Sequence, residues 1–165
     1  MHKTSNQKVY FFIIGLISML IYGTACTTTT TKKMEMLSKN LEGTWGVENS
    51  SLTEIWSRKN SDSLCAISYF FKDNGDSVFL STSTIYKSKD KIFLDILNKN
   101  NKLKLYYLKE MDKDYFVFNA ISEEFYPTSI HYKIRKNNDK NLESFVDGKV
   151  NGKYQSYQFK MYKVY

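Results

Sequence analysis

The chain has 165 residues, a formal net charge of +7, two cysteines and two histidines. That length suits one domain once an N-terminal segment is set aside. So few cysteines and histidines exclude a disulfide framework and a zinc ligand set. The positive charge is spread over Lys-Asn-Asp clusters, with Arg58 and Arg135 the two arginines, so a solvated surface is expected and a nucleic-acid partner is not.

The first 25 residues carry Lys3 and Lys8 and no acid. Val9 to Tyr22, VYFFIIGLISMLIY, is uncharged over 14 residues. A spanning helix needs roughly 20. A basic start, a short apolar run and the small residues Gly23-Thr24-Ala25 predict a secretory signal over residues 1–25. An uncleaved anchor helix is the alternative reading. Cleavage lowers the net charge to +5, because two lysines leave and no acid does.

Cys26 follows directly. Ala25-Cys26 after such a run resembles a bacterial lipoprotein signal. The resemblance implies that the Cys26 thiol takes a diacylglyceryl group and that Cys26 becomes the first mature residue. Gly23 departs from that pattern, where an aliphatic residue is usual, and Gly-x-Ala also suits an ordinary signal peptidase. A disulfide to Cys65 is a further alternative, but it would staple a strand to a polar tail. No acidic cluster follows Cys26, which favours a lipid-anchored place in the cell envelope, on the outer membrane and facing the periplasm. The membrane is then the first expected partner. TTTTTKKMEM has no apolar period, so residues 26–37 are expected to be a flexible tether.

The expected domain is 38–165. MEMLSKNLEG is expected to form a turn or two of helix ending at Gly43, where glycine suits a C-cap. Beyond it, short runs rich in Tyr, Phe, Ile, Val and Thr alternate apolar with polar residues. Polar clusters separate them: KNSD at 59–62, KDNGD at 72–76, KSKD at 87–90, NKNN at 98–101, MDKD at 111–114, KNND at 136–139 and DGKVNG at 147–152. Asn74-Gly75 is a strong hairpin signal. The single proline, Pro127, falls in the one long break, SEEFYP.

Ten candidate strands result, with almost no helix. The fold class is all-β: an antiparallel meander closed into a lipocalin-like barrel of about 8–10 strands, closure removing exposed edges. Leu103, Leu105 and Tyr107 alternate with Lys104, as on a wall with one wet face. Tyr115 and Val117 alternate with Phe116 and Phe118, which implies cover on both faces.

NLEGTWGVENSSLTEIW resembles the opening of a lipocalin-like (calycin) barrel, with Gly43-Thr44-Trp45 as its Gly-x-Trp. LEGTW, TEIW, LCAISY, YFVF, FYP, IHY and the closing GKYQSYQFKMYKV follow the order of a family of small exported bacterial domains with this barrel. The arginine that usually holds the tryptophan near the last strand is replaced by Lys160 and Lys163. Asn-Pro and His-Asp of that family's loop are replaced by Asn119-Ala120-Ile121 and Glu123-Glu124.

Residues for catalysis are sparse. His131 is the one histidine after residue 25, there is no Gly-x-Ser-x-Gly elbow or phosphate-cradling loop, and Glu123-Glu124 suits a solvated loop. No enzyme, metal or cofactor is expected. Two functions remain. One is a membrane-anchored binding module for a small apolar or amphipathic ligand, using Trp45, Trp56, Tyr69, Phe118 and Tyr157, with Glu54 or Tyr69 as a polar tip at the mouth. The other is a periplasmic protein-interaction module, an enzyme inhibitor or envelope assembly factor whose partner is an envelope protein.

Overall fold

The computed structural model describes residues 29–136 and 140–164. The expected signal segment, Cys26 and most of the KNND turn lie outside the described residues. An α-helix, α1, covers residues 29–41. The strands are β1 (Gly43–Val47), β2 (Leu52–Asn60), β3 (Ser63–Phe71), β4 (Ser77–Ser88) and β5 (Lys91–Asn98). They continue as β6 (Leu103–Asp112), β7 (Tyr115–Ala120), β8 (Ser129–Lys136), β9 (Lys140–Val150) and β10 (Lys153–Val164).

All neighbours pair antiparallel, and β1 joins β10 to close a ten-strand barrel. Thr44 makes the closure visible, since it sits opposite Ile55 on one side and Val164 on the other. The expected meander is therefore closed, as the short turns and the lack of a covered edge required. The polar clusters supply the turns. Asn49, Asn101 and Asn151 each sit in the left-handed region, with φ of 56°, 56° and 51°, where asparagine is tolerated better than most side chains.

Three expectations need correction. The first concerns the tether. Residues 29–37 belong to a helix, so any tether is confined to residues before Thr29. Thr30, Met34, Leu37 and Leu41 lie four, three and four residues apart, which places them on one helical face, and all four are buried. Threonine-rich sequence favours helix weakly. What holds α1 is packing: burying Met34, Leu37 and Leu41 contributes roughly 1.5–3 kcal/mol each. The helix plugs one end of the barrel, tied to two turns there by Thr30 Oγ1–H to the Asp90 carbonyl (3.4 Å) and Asn40 Nδ2–H to the Lys113 carbonyl (3.2 Å). Gly43 follows with φ of 135°, and a Cβ there would come within 2.6 Å of the Lys163 side chain.

The second correction is the facing of β6. Lys104, Tyr106 and Leu108 point into the barrel, while Leu103 and Tyr107 are exposed on the outside. The third is the DGKVNG turn. β9 runs on through Val150 and the turn is Asn151-Gly152 alone. Gly148 is a strand residue whose missing Cβ admits the Tyr126 ring and the Thr128 backbone nitrogen, 2.8 and 3.0 Å from where that Cβ would sit.

Candidate functional site

The barrel interior is divided. Next to α1 it is filled by Trp45, Trp56, Leu64, Ile85, Leu94, Phe116, Phe118 and Leu142, all at most 2% exposed. Away from α1 it holds a cavity of about 270 Å³, close to the lower end of small-ligand sites at roughly 300 Å³. Every strand except β7 contributes a lining residue, and Pro127 covers that sector from the β7–β8 loop. Leu52, Leu80, Ile96, Ile130 and Val146 supply apolar wall.

A polar layer crosses this cavity. Glu54, Ser68, Ser83, Tyr106, Tyr132 and Ser144 all line it. The Glu54 carboxyl accepts Trp56 Nε1–H at Oε2 (2.9 Å) and Ser68 Oγ–H at Oε1 (3.3 Å). Burial pushes the Glu54 pKa up, and those two hydrogen bonds offset part of the rise. Burial, with Glu54 nearby, also holds the Tyr132 hydroxyl well above its ordinary range, and burial does the same to Tyr106. Both tyrosines are therefore neutral donors at physiological pH. Tyr106 Oη–H donates to the Pro127 carbonyl at 3.2 Å. Lys104 lines the cavity from β6, and its Nζ donates to the Tyr126 carbonyl. Burial, then the neighbouring Lys102, lowers the Lys104 pKa.

Of the six residues singled out for a ligand, Glu54 lines the cavity. Trp56 lies beneath it as the donor to Glu54, and Trp45 lies in the core with Nε1–H donating to the Leu41 carbonyl (2.7 Å). Phe118 is fully buried, packed edge-on against Tyr132 with centroids 6.4 Å apart. Tyr69 points outward from β3 and packs edge-on against Phe79. Tyr157 is half exposed and bonds Gln155. Neither Tyr69 nor Tyr157 lines the cavity. Sequence reasoning missed Lys104, Tyr106, Tyr132 and the four lining serines, Ser68, Ser81, Ser83 and Ser144. Counting alternate residues from Lys104 would have placed Lys104 and Tyr106 on one face, but the leucines opposite outweighed them.

The chain is not similar enough to any family model or curated protein to match one.

The outer wall carries a second polar group. His131 Nδ1 is 2.6 Å from Tyr115 Oη, while its Nε2 is 3.0 Å from Ser129 Oγ and 3.1 Å from Asp147 Oδ2. In Ser-His-Asp catalysis the serine and the carboxylate engage opposite imidazole nitrogens. Here both meet Nε2, so the carboxylate cannot orient the ring towards the serine. Among the described residues, no group of three His, Cys, Asp or Glu is placed to hold a metal ion. Cys65 faces outward from β3, half buried, with Sγ 3.8 Å from Thr84 Oγ1.

The elevated Glu54 pKa has a consequence for stability. The unfolded chain gives up this proton near the ordinary value of 4.5, whereas the folded chain keeps it to higher pH. The folded state thus binds more protons across that window, and stability falls as pH rises through it. Glu54→Gln has no proton to lose, so its stability is expected to stay flatter from pH 4.5 upward. Urea denaturation of both proteins at pH 4.5 and 7.5 measures the difference; equal slopes would remove Glu54 as the source.

Proposed function

We propose that this protein is a membrane-anchored bacterial lipoprotein whose barrel binds a small apolar or amphipathic ligand. The observation that carries the reading is the cavity beyond the plugged half of the barrel, with apolar walls and one buried carboxyl in its polar layer. An interior meant only for packing would fill this half as it fills the half beneath α1. The closed antiparallel barrel is compatible with the lipocalin-like resemblance.

Lipidation at Cys26 supplies the anchor in this reading, and the helix supplies an orientation. Thr29, the first described residue of α1, lies three residues after Cys26, a distance of at most about 11 Å even fully extended. The plugged end then faces the membrane, and the cavity faces away from it.

Native mass spectrometry of the mature protein from its source tests the binding reading. A bound small molecule is expected on the unaltered chain and is expected to be lost in Val146→Trp, which fills the cavity from β9. A bare protein in both, or the same added mass in both, argues against the site.

The protein-interaction reading draws on the outer wall. Ile55, Ile67, Leu97 and Leu103 are all at least 38% exposed. They form one row across β2 to β6, with Thr82 completing it at β4. An apolar row of that kind suits a docking surface. A co-purifying protein lost on Ile67→Lys and retained in Val146→Trp would favour it.

A further inference from the structure

The polar layer narrows what the cavity accepts. Glu54 is its one acidic lining residue and Lys104 its one basic lining residue. They do not neutralise each other. β6 lies four strands round the ten-strand wall from β2, and no ion pair to Glu54 is formed among the described residues. Lys104 is instead engaged with the Tyr126 carbonyl.

An ionised carboxylate has about four acceptor positions. Trp56 and Ser68 occupy one on each oxygen. The others have no cation to meet, in a site where burial disfavours the charge. A buried, unpaired carboxylate is costly, and a cation brought by a ligand relieves that cost in the bound state alone. The serines and neutral tyrosines of the same layer can share the ligand's remaining donors or acceptors without adding charge. The volume, about 270 Å³, lies near the lower end of small-molecule sites, roughly 300 Å³, so the ligand is small.

We propose that the cavity selects a small amphipathic amine, with its ammonium group on the Glu54 carboxylate and its apolar part along Leu52, Ile96, Ile130 and Val146. This rests on the ligand-binding reading above and adds the chemistry of the head group. A fatty acid of the same size is disfavoured, because its carboxylate would meet Glu54.

Hexylamine, hexanol and hexanoate separate the two claims. They are titrated by calorimetry at pH 7 into the chain from residue 26 onward carrying Cys26→Ser. The amine is expected to bind roughly tenfold tighter than the alcohol, and the acid weakest. In Glu54→Gln the amine advantage should shrink to within about twofold of the alcohol, with hexanol affinity kept as the control for folding. Lys104→Met should leave the amine preference in place. Equal binding of amine and alcohol by the native protein overturns the amine proposal and leaves ligand binding standing. So does an amine preference that survives Glu54→Gln. Failure of all three ligands to bind overturns both.

Discussion

Trp45→Ala is expected to cost about 3–5 kcal/mol of folding stability, the range for emptying a large aromatic site in a core. Trp45 is 1% exposed and stands where the barrel closes, paired with Glu54 of β2 and Lys163 of β10. Its indole N–H donates to the Leu41 carbonyl at 2.7 Å, in the last turn of α1. Lys163 Nζ lies 5.8 Å from the ring centroid, a cation–π contact in place of the arginine usual in the resembling family. Truncation therefore removes buried area, leaves a carbonyl at the helix end unpaired, and loosens the plug. Thermal denaturation should show a drop on the order of 10–20 °C. A loss below about 0.5 kcal/mol would place the residue outside the core, in the range typical of surface substitutions.

The same residue shows why the wall was legible in the sequence. Strand runs such as KIFLDILN and YFVFNA are short and rich in β-branched and aromatic residues, and polar clusters mark where they end. Closure followed from strand number and turn length. α1 was harder to see, because its buried face is built from one threonine, one methionine and two leucines in a polar, threonine-rich stretch. That face is apolar only through contacts with the barrel end, which local composition does not record. Gly148 was misread for a related reason. Asp-Gly is a turn signal by local propensity, yet here the glycine serves the close approach of Tyr126 and Thr128 from another loop.

The candidate site was legible in one residue. Glu54 stood out as an acid near the start of β2, and it is the residue that the cavity, Trp56 and Ser68 converge on. The face of β6 was misassigned because an apolar–polar alternation says that two faces differ and not which one is inside. A cavity wall reverses the usual sense: it can hold an inward lysine, while the outer face keeps Leu103 and Tyr107. The aromatic residues were overvalued for the complementary reason. Tryptophans and phenylalanines in a barrel fill its closed half, as Trp45, Trp56 and Phe118 do. The open part is lined mostly by aliphatic, serine and tyrosine side chains, with Phe159 its one phenylalanine.

Cys26→Ser is expected to abolish incorporation of a fatty-acid analogue and to move the protein from the membrane to the soluble fraction. The motive is Ala25-Cys26 directly after a 14-residue apolar run too short to span a bilayer. The effect should be all-or-none, because a diacylglyceryl group gives stable attachment by burying two chains, at about 0.8 kcal/mol per buried CH₂. Labelling and fractionation together discriminate the alternatives. Loss of both is the lipoprotein result. Membrane retention with no label in either protein points to an uncleaved helix over Val9 to Tyr22. Unchanged labelling in Cys26→Ser sinks lipidation at this residue. The same experiment bears on the orientation of the barrel, because Cys26 is three residues from Thr29 of α1. If Cys26 carries the lipid, as proposed above, three residues of chain would hold the plugged end near the lipid and leave the cavity on the aqueous side.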